Sequence, residues 1–316
     1  MTHWAIKLLK GFAIFVLFLL LSLTIFGAST IFIADKTVLN PDVYQKQMND
    51  NNGYAVLSAF FSETLSQAII NSSNQTSDSN TKDDIKLQTA NEGIKQQLAQ
   101  AFSPDKLKAQ LEPQIKNLFD YINSKTNTLT ISFDLKEFKQ SMLDYYSEKG
   151  VDVSESISKI PDTYTISQTG DGADLYVQLT TVRDAVSVMH IIFYILLVLT
   201  VVFLFLLYLL YRPNWKKFMS QTGINILVDG LVCLIALLII KSAAMNQNIG
   251  LAPGLPSEVV TLALGFLEAF INAALFVFIV ITIIGLGLLI GSFFVKTPES
   301  NIKEKQKQKQ EPKRKQ

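Results

Sequence analysis

At 316 residues the chain is long enough for two domains, and the 49% of it that is hydrophobic is gathered into a few uncharged runs. A formal net charge of +1 supplies no basic field of the kind that draws a protein to nucleic acid, so no nucleic-acid partner is expected. One cysteine, Cys233, excludes a disulfide framework. Two histidines, His3 and His190, fall on opposite sides of the membrane in the topology that the basic residues imply, which argues against a His-based triad or a His-rich metal site.

Residues 1–10, with Lys7 and Lys10, read as a cytoplasmic N-terminus. Residues 11–34 carry no charge and exceed the ~20 residues that cross a hydrocarbon core. Apolar Ile31–Ala34 continues past the small residues Gly27, Ala28, Ser29 and Thr30, which favours an uncleaved anchor over a signal peptide.

Residues 35–189 form the expected extracytoplasmic domain, mainly helical with a small β element (α+β), with 14 basic and 21 acidic residues. Asn40-Pro41-Asp42 is a helix start. Leu57, Phe60, Phe61, Leu65 and Ile69 keep helical spacing up to residue 70. Residues 71–82 have no apolar side chain and read as a loop, and 83–102 as weakly helical. Ser103-Pro104-Asp105 opens another helix with Ser103 as cap, and Pro113 should kink it or begin a new helix near Glu112. Leu129, Ile131, Phe133 and Leu135 alternate with polar residues, which is strand period. Residues 136–149 return to helix, with Gly150 as a stop. Tyr164–Ile166 is a second short strand before a turn at Gly170-Asp171-Gly172, and its pairing is left open.

Val182, Val186 and Met189 lead at helical spacing into the second span, 190–211, so one continuous helix is expected. A cytoplasmic turn at 212–222 holds Arg212, Trp215, Lys216 and Lys217. The third span is 223–240. Residues 241–270 form an outer loop in which Val259–Phe270 lies at the interface or re-enters the membrane. The fourth span is 271–295, and 296–316 is a disordered basic tail that suits contact with anionic lipid. The three pieces assigned to the inside hold 13 Lys and Arg, whereas the short outer loop has only Lys241. Both termini are therefore placed in the cytoplasm of a multi-pass cell-membrane protein.

No Gly-x-x-x-x-Gly-Lys-Ser/Thr loop is present, and the 21 acids of the external domain read as solvated helix faces, with a carboxylate pair among them left open. Catalytic residues, metal ligands and cofactors are not expected. Asp229 is the one formal charge well inside a span, where a carboxylate costs about 2.5–3.5 kcal/mol on insertion scales. It is expected to face residues 285–291 of the fourth span and to bond a water or a Ser/Thr hydroxyl. Gly287 and Gly291 form a Gly-x-x-x-Gly pair that admits a close helix. His190 reads as an interfacial polar residue, with a pH sensor as the second reading. Lys241 and Glu268 should pair at the outer end, one turn from Asn272.

The layout is one span, a large external domain, three further spans and an inner C-terminus. It resembles, in topology and over the whole chain, the permease subunits of mechanotransmitting ABC systems, including the cell-division type. That resemblance implies a transmission or transport subunit working with a separate ATPase. The expectation read from the residues is a non-enzymatic envelope protein whose external domain binds or senses a protein partner.

Overall fold

The computed structural model describes residues 3–74, 98–148, 154–158, 162–166, 173–212, 214–246 and 257–295. The expected loop beyond Asn74, most of the 83–102 stretch, Gly150, the turn at 170–172, the Gly/Pro-rich loop near 250–256 and the basic tail lie outside them. The elements are α1 (His3–Lys36), α2 (Pro41–Asp50), α3 (Gly53–Asn74), α4 (Pro104–Ile122), β1 (Ile131–Asp134), α5 (Lys136–Glu148), α6 (Ser154–Ser158), β2 (Thr163–Ile166), α7 (Ala173–Tyr211), α8 (Trp215–Asn246) and α9 (Ser257–Phe294). Four of the helices, α1, α7, α8 and α9, are long and apolar enough to cross a membrane. Contacts divide the chain into two compact units: residues 1–38, 188–249 and 268–316, and residues 39–187 and 250–267.

The first unit is helical. Leu21 of α1 packs with Leu207 and Tyr211 of α7, and Phe203, Leu204 and Phe218 close around them. Ile33 packs with Ala274 and Phe278 of α9, flanked by Cys233, Leu234 and Leu237 of α8. Outward, the helices present bare apolar side chains such as Val201, Phe276 and Ile283, each more than 60% exposed. A contiguous face of that kind is stable in hydrocarbon and not in water. Three span threonines bond their own helix: Thr24 donates to Leu21 O, Thr200 to Leu196 O and Thr282 to Phe278 O.

In the second unit Tyr121, Leu129 and Ile131 are buried together, with Phe133, Tyr176 and Leu179 against them. A second cluster joins Leu98 and Tyr145 with Phe102 and Phe138. β1 and β2 pair antiparallel with Ile131 opposite Ile166 and Asp134 opposite Thr163, which resolves the open pairing. Asn40 caps α2 by accepting from Asp42 N at 3.0 Å. Ser103 precedes α4 without a side-chain cap bond, so the helix start rests on Pro104, whose fixed φ suits a first turn. Pro113 lies inside α4, which runs through it to Ile122 rather than ending or restarting there.

Three boundaries differ from the sequence reading. α3 extends to Asn74, four residues into the expected loop. The turn expected at 212–222 shrinks to the few residues before Trp215. Asn214 accepts from Lys217 N at 3.1 Å, and this cap lets Lys216 and Lys217 join the first turn of α8. The separate interfacial or re-entrant helix at 259–270 does not form: Ser257–Phe294 is one helix, because no proline or glycine pair interrupts it near residue 270. Its first turns pack instead on α2 within the second unit, where Tyr44 stacks between Phe119 and Phe266 at 4.7 and 4.8 Å. Gly265 lacks a side chain there, since a Cβ would strike Gln47 and lie 2.6 Å from Asn51 Nδ2. The continuous helix expected from 173 through the second span is present as α7.

Candidate functional site

The longer α8 changes the depth of Asp229. Lys217 and Lys241 bound the uncharged stretch around it, each twelve residues away, so it sits at the middle, about 18 Å from either lysine along the helix. Asn225, one turn earlier on α8, donates from Nδ2 both to Asp229 Oδ2 at 3.2 Å and to Ser22 Oγ of α1 at 2.9 Å. Ser22 is itself twelve residues beyond Lys10, so α1 and α8 meet through polar groups at mid-span. Thr24, Thr200 and Thr282 bond their own helix, whereas Asn225 bonds across to Ser22 of α1.

A cavity of about 360 Å³ opens beside the cluster. Ser22 and Asp229 stand in its wall with Leu19, Leu23 and Phe26 of α1, Cys233 of α8, and Phe278 and Ile281 of α9. Phe26 and Phe278 stack with centroids 6.3 Å apart. Among the described residues no group of three His, Cys, Asp or Glu side chains converges as a metal site would require.

Asp229 does not face residues 285–291 as anticipated. Its neighbour Gly230 does face α9, and a Cβ there would collide with Thr282. One residue is about 100° around a helix, which turns Asp229 toward α1. The close α8–α9 crossing is made by Gly223 and Gly285. A Cβ on Gly223 would lie 2.7 Å from Leu289 N, and one on Gly285 would lie 2.5 Å from Leu227 N. Gly287, singled out from the sequence, has open space beside it, whereas a Cβ on Gly291 would lie 3.0 Å from Met219 Cε of α8. Of the Gly-x-x-x-Gly pair, Gly291 lies against α8 and Gly287 does not.

The weaker candidates are placed as follows. His190 Nε2 lies 3.3 Å from Asp35 Oδ1, and Lys36 Nζ lies 3.5 Å from the other oxygen of the same carboxylate. Ile31, Phe32, Phe193 and Tyr194 surround this pair in a cavity of about 320 Å³. Lys241 donates to Asn272 Oδ1 at 2.8 Å and reaches Glu268 at 3.8 Å, so Asn272 is its nearer partner.

Sequence reasoning missed Ser22, Asn225, Asp35 and Gly223, and reached Gly285 as the edge of the stretch 285–291. Asn225 was findable, since it lies four residues before Asp229 on the same face. Ser22 was not, because Thr24 and Ser29 are equally polar neighbours in the same run. Compared with protein-family models, curated proteins and solved structures, the chain finds no match.

Proposed function

We propose that this chain is a multi-pass protein of the cell membrane with both termini in the cytoplasm and residues 35–189 outside. The outer region binds or senses a protein partner, and the helices carry that state into the membrane. The observation that supports this most is the continuity of α7. Near its start Tyr176 and Leu179 pack on the Tyr121–Leu129 core, and near its end Leu207 and Tyr211 pack on Leu21. An unbroken helix in place of a loop at this junction is what suits transmission.

The placement of the termini is supported by the start of α8. Lys216 and Lys217 stand in its first turn, where the helix dipole disfavours cations by about 0.3–1 kcal/mol. Attraction of about 1 kcal/mol per basic residue to an anionic cytoplasmic leaflet outweighs that. The same attraction suits the basic tail to the inner leaflet.

A second reading, a permease-like transport or transmission subunit with a separate ATPase, is favoured by one observation: the polar cluster and cavity at mid-span. Single cysteines at Ser72 and Ser300, in a Cys233→Ala background, test the topology. A membrane-impermeant maleimide added to intact cells is expected to label Ser72→Cys and spare Ser300→Cys, and the reverse pattern rejects the model. Reciprocal pull-downs in mild detergent separate the two readings, since reproducible recovery of a nucleotide-binding ATPase selects the second.

A further inference from the structure

The cluster at Asp229 is rich in acceptors and poor in donors. Asn225 uses its amide nitrogen on Ser22 and Asp229, which leaves the Asn225 carbonyl and the second Asp229 oxygen as acceptors. The Ser22 hydroxyl brings a single hydrogen. No lysine or arginine lies within residues 11–35, 184–211, 218–240 or 242–295, so the chain itself offers the mid-span carboxylate no cation. Beyond it the cavity is apolar, with Leu19, Leu23, Phe26, Phe278 and Ile281 in its wall. At about 360 Å³ it falls within the range of small-molecule sites, which are mostly apolar with a few convergent polar groups. Two stacked phenyl rings beside a carboxylate also suit a cationic head, because ring faces attract positive charge.

We propose that this cavity binds a lipophilic amine. The ammonium group pairs with the Asp229 carboxylate and donates to the Ser22 oxygen, both in the cavity wall, and the alkyl body lies along Leu19, Leu23 and Ile281. A proton alone would neutralise the carboxylate but would leave the cavity without an occupant. A neutral alkyl chain would fill the cavity but offer the carboxylate nothing. The amine does both. The proposal is independent of which side of the membrane residues 35–189 occupy.

The test uses the full chain, purified in a non-ionic detergent, with dodecylamine as probe and dodecanol as its uncharged counterpart. Dodecylamine is expected to raise Tm saturably, and dodecanol to leave it unchanged. Asp229→Asn, which keeps the shape and an acceptor for Asn225, should weaken the apparent affinity for the amine at least tenfold. Leu23→Trp, on an exposed part of the cavity wall, should do the same with Asp229 intact, and so serves if Asp229→Asn fails to fold. Equal shifts from amine and alcohol, no saturable shift with the amine, or a full amine shift in either folded variant overturns the proposal.

Discussion

In the unit of residues 39–187 and 250–267 charges meet at the surface: Lys139 reaches Asp162 at 2.6 Å, Lys106 reaches Glu137 at 2.6 Å and Lys125 reaches Asp120 at 3.3 Å. At least one side chain of each pair is largely exposed, and such pairs contribute little. Stability there rests on aromatic and aliphatic side chains packed across elements, as around Tyr121 and Tyr145. In the unit of the long helices the order is inverted. Apolar side chains are the exposed surface, and α8 and α9 approach through missing side chains at Gly223 and Gly285. Where hydrocarbon is the solvent, burying another leucine gains little, so close backbone packing and interhelical hydrogen bonds hold the helices together. The two regions should therefore fail under different substitutions.

The largest effect is expected at the crossing. Gly285→Leu forces a side chain into the Leu227 backbone, which cannot yield as a side-chain tip would. Overpacking of this kind costs about 1–3 kcal/mol or more. Gly287→Leu, two residues on and facing open space, should change stability by less than about 0.5 kcal/mol. Thermal unfolding in detergent compares them, and equal losses would break the contrast between the two glycines.

Next comes the polar cluster. A double-mutant cycle of Ser22→Ala and Asn225→Ala should give a coupling near the ~0.6 kcal/mol typical of interhelical hydrogen bonds in membranes. Strict additivity would mean that the α1–α8 bond contributes nothing to stability.

Alkaline titration probes the other unit. Burial, together with the Glu112 carboxylate 3.4 Å away, pushes the Tyr54 phenol up to about 12 from an ordinary value of 10.0. A group whose folded value is raised contributes stability that is present below pH 10 and lost as pH rises through about 12. Ultraviolet difference titration of the protein and of Tyr54→Phe should place Tyr54 among the tyrosines that ionise late. Loss of one late step in Tyr54→Phe identifies it.

The smallest effect belongs to Asp162. The hydrogen bond and charge of Lys139 hold its carboxyl below the usual range. Its contribution is thus present above the ordinary carboxylate value and disappears as pH falls through the lowered one. Because Asp162 is fully exposed, Lys139→Ala should shift the acid-unfolding midpoint only slightly. A large shift would mean that surface charge matters more to this unit than its core.

The four long helices were legible because an uncharged run of more than 20 residues has few structural alternatives. β1 and α4 were legible because periods of two and of three to four differ. The ends of α8 and α9 were not, since hydropathy reports where lipid contact stops and not where the helix stops. Asn214 as a cap and the packing of Phe266 on Tyr44 settled those ends. Asp229 stood out as a lone charge, but its partners did not, because the choice among Ser22, Thr24 and Ser29 depends on how α1 is rotated.

The amino-acid sequence by itself determined that there are four apolar helices, that basic residues collect at one set of their ends, and that a carboxylate lies within the third. Only the tertiary structure decided which glycines touch and which way that carboxylate points. Hydropathy and charge are properties of a stretch of chain and survive any rotation of the helix. A contact depends on rotation and register, and a turn of about 100° sends Gly230 to α9 and Asp229 to α1.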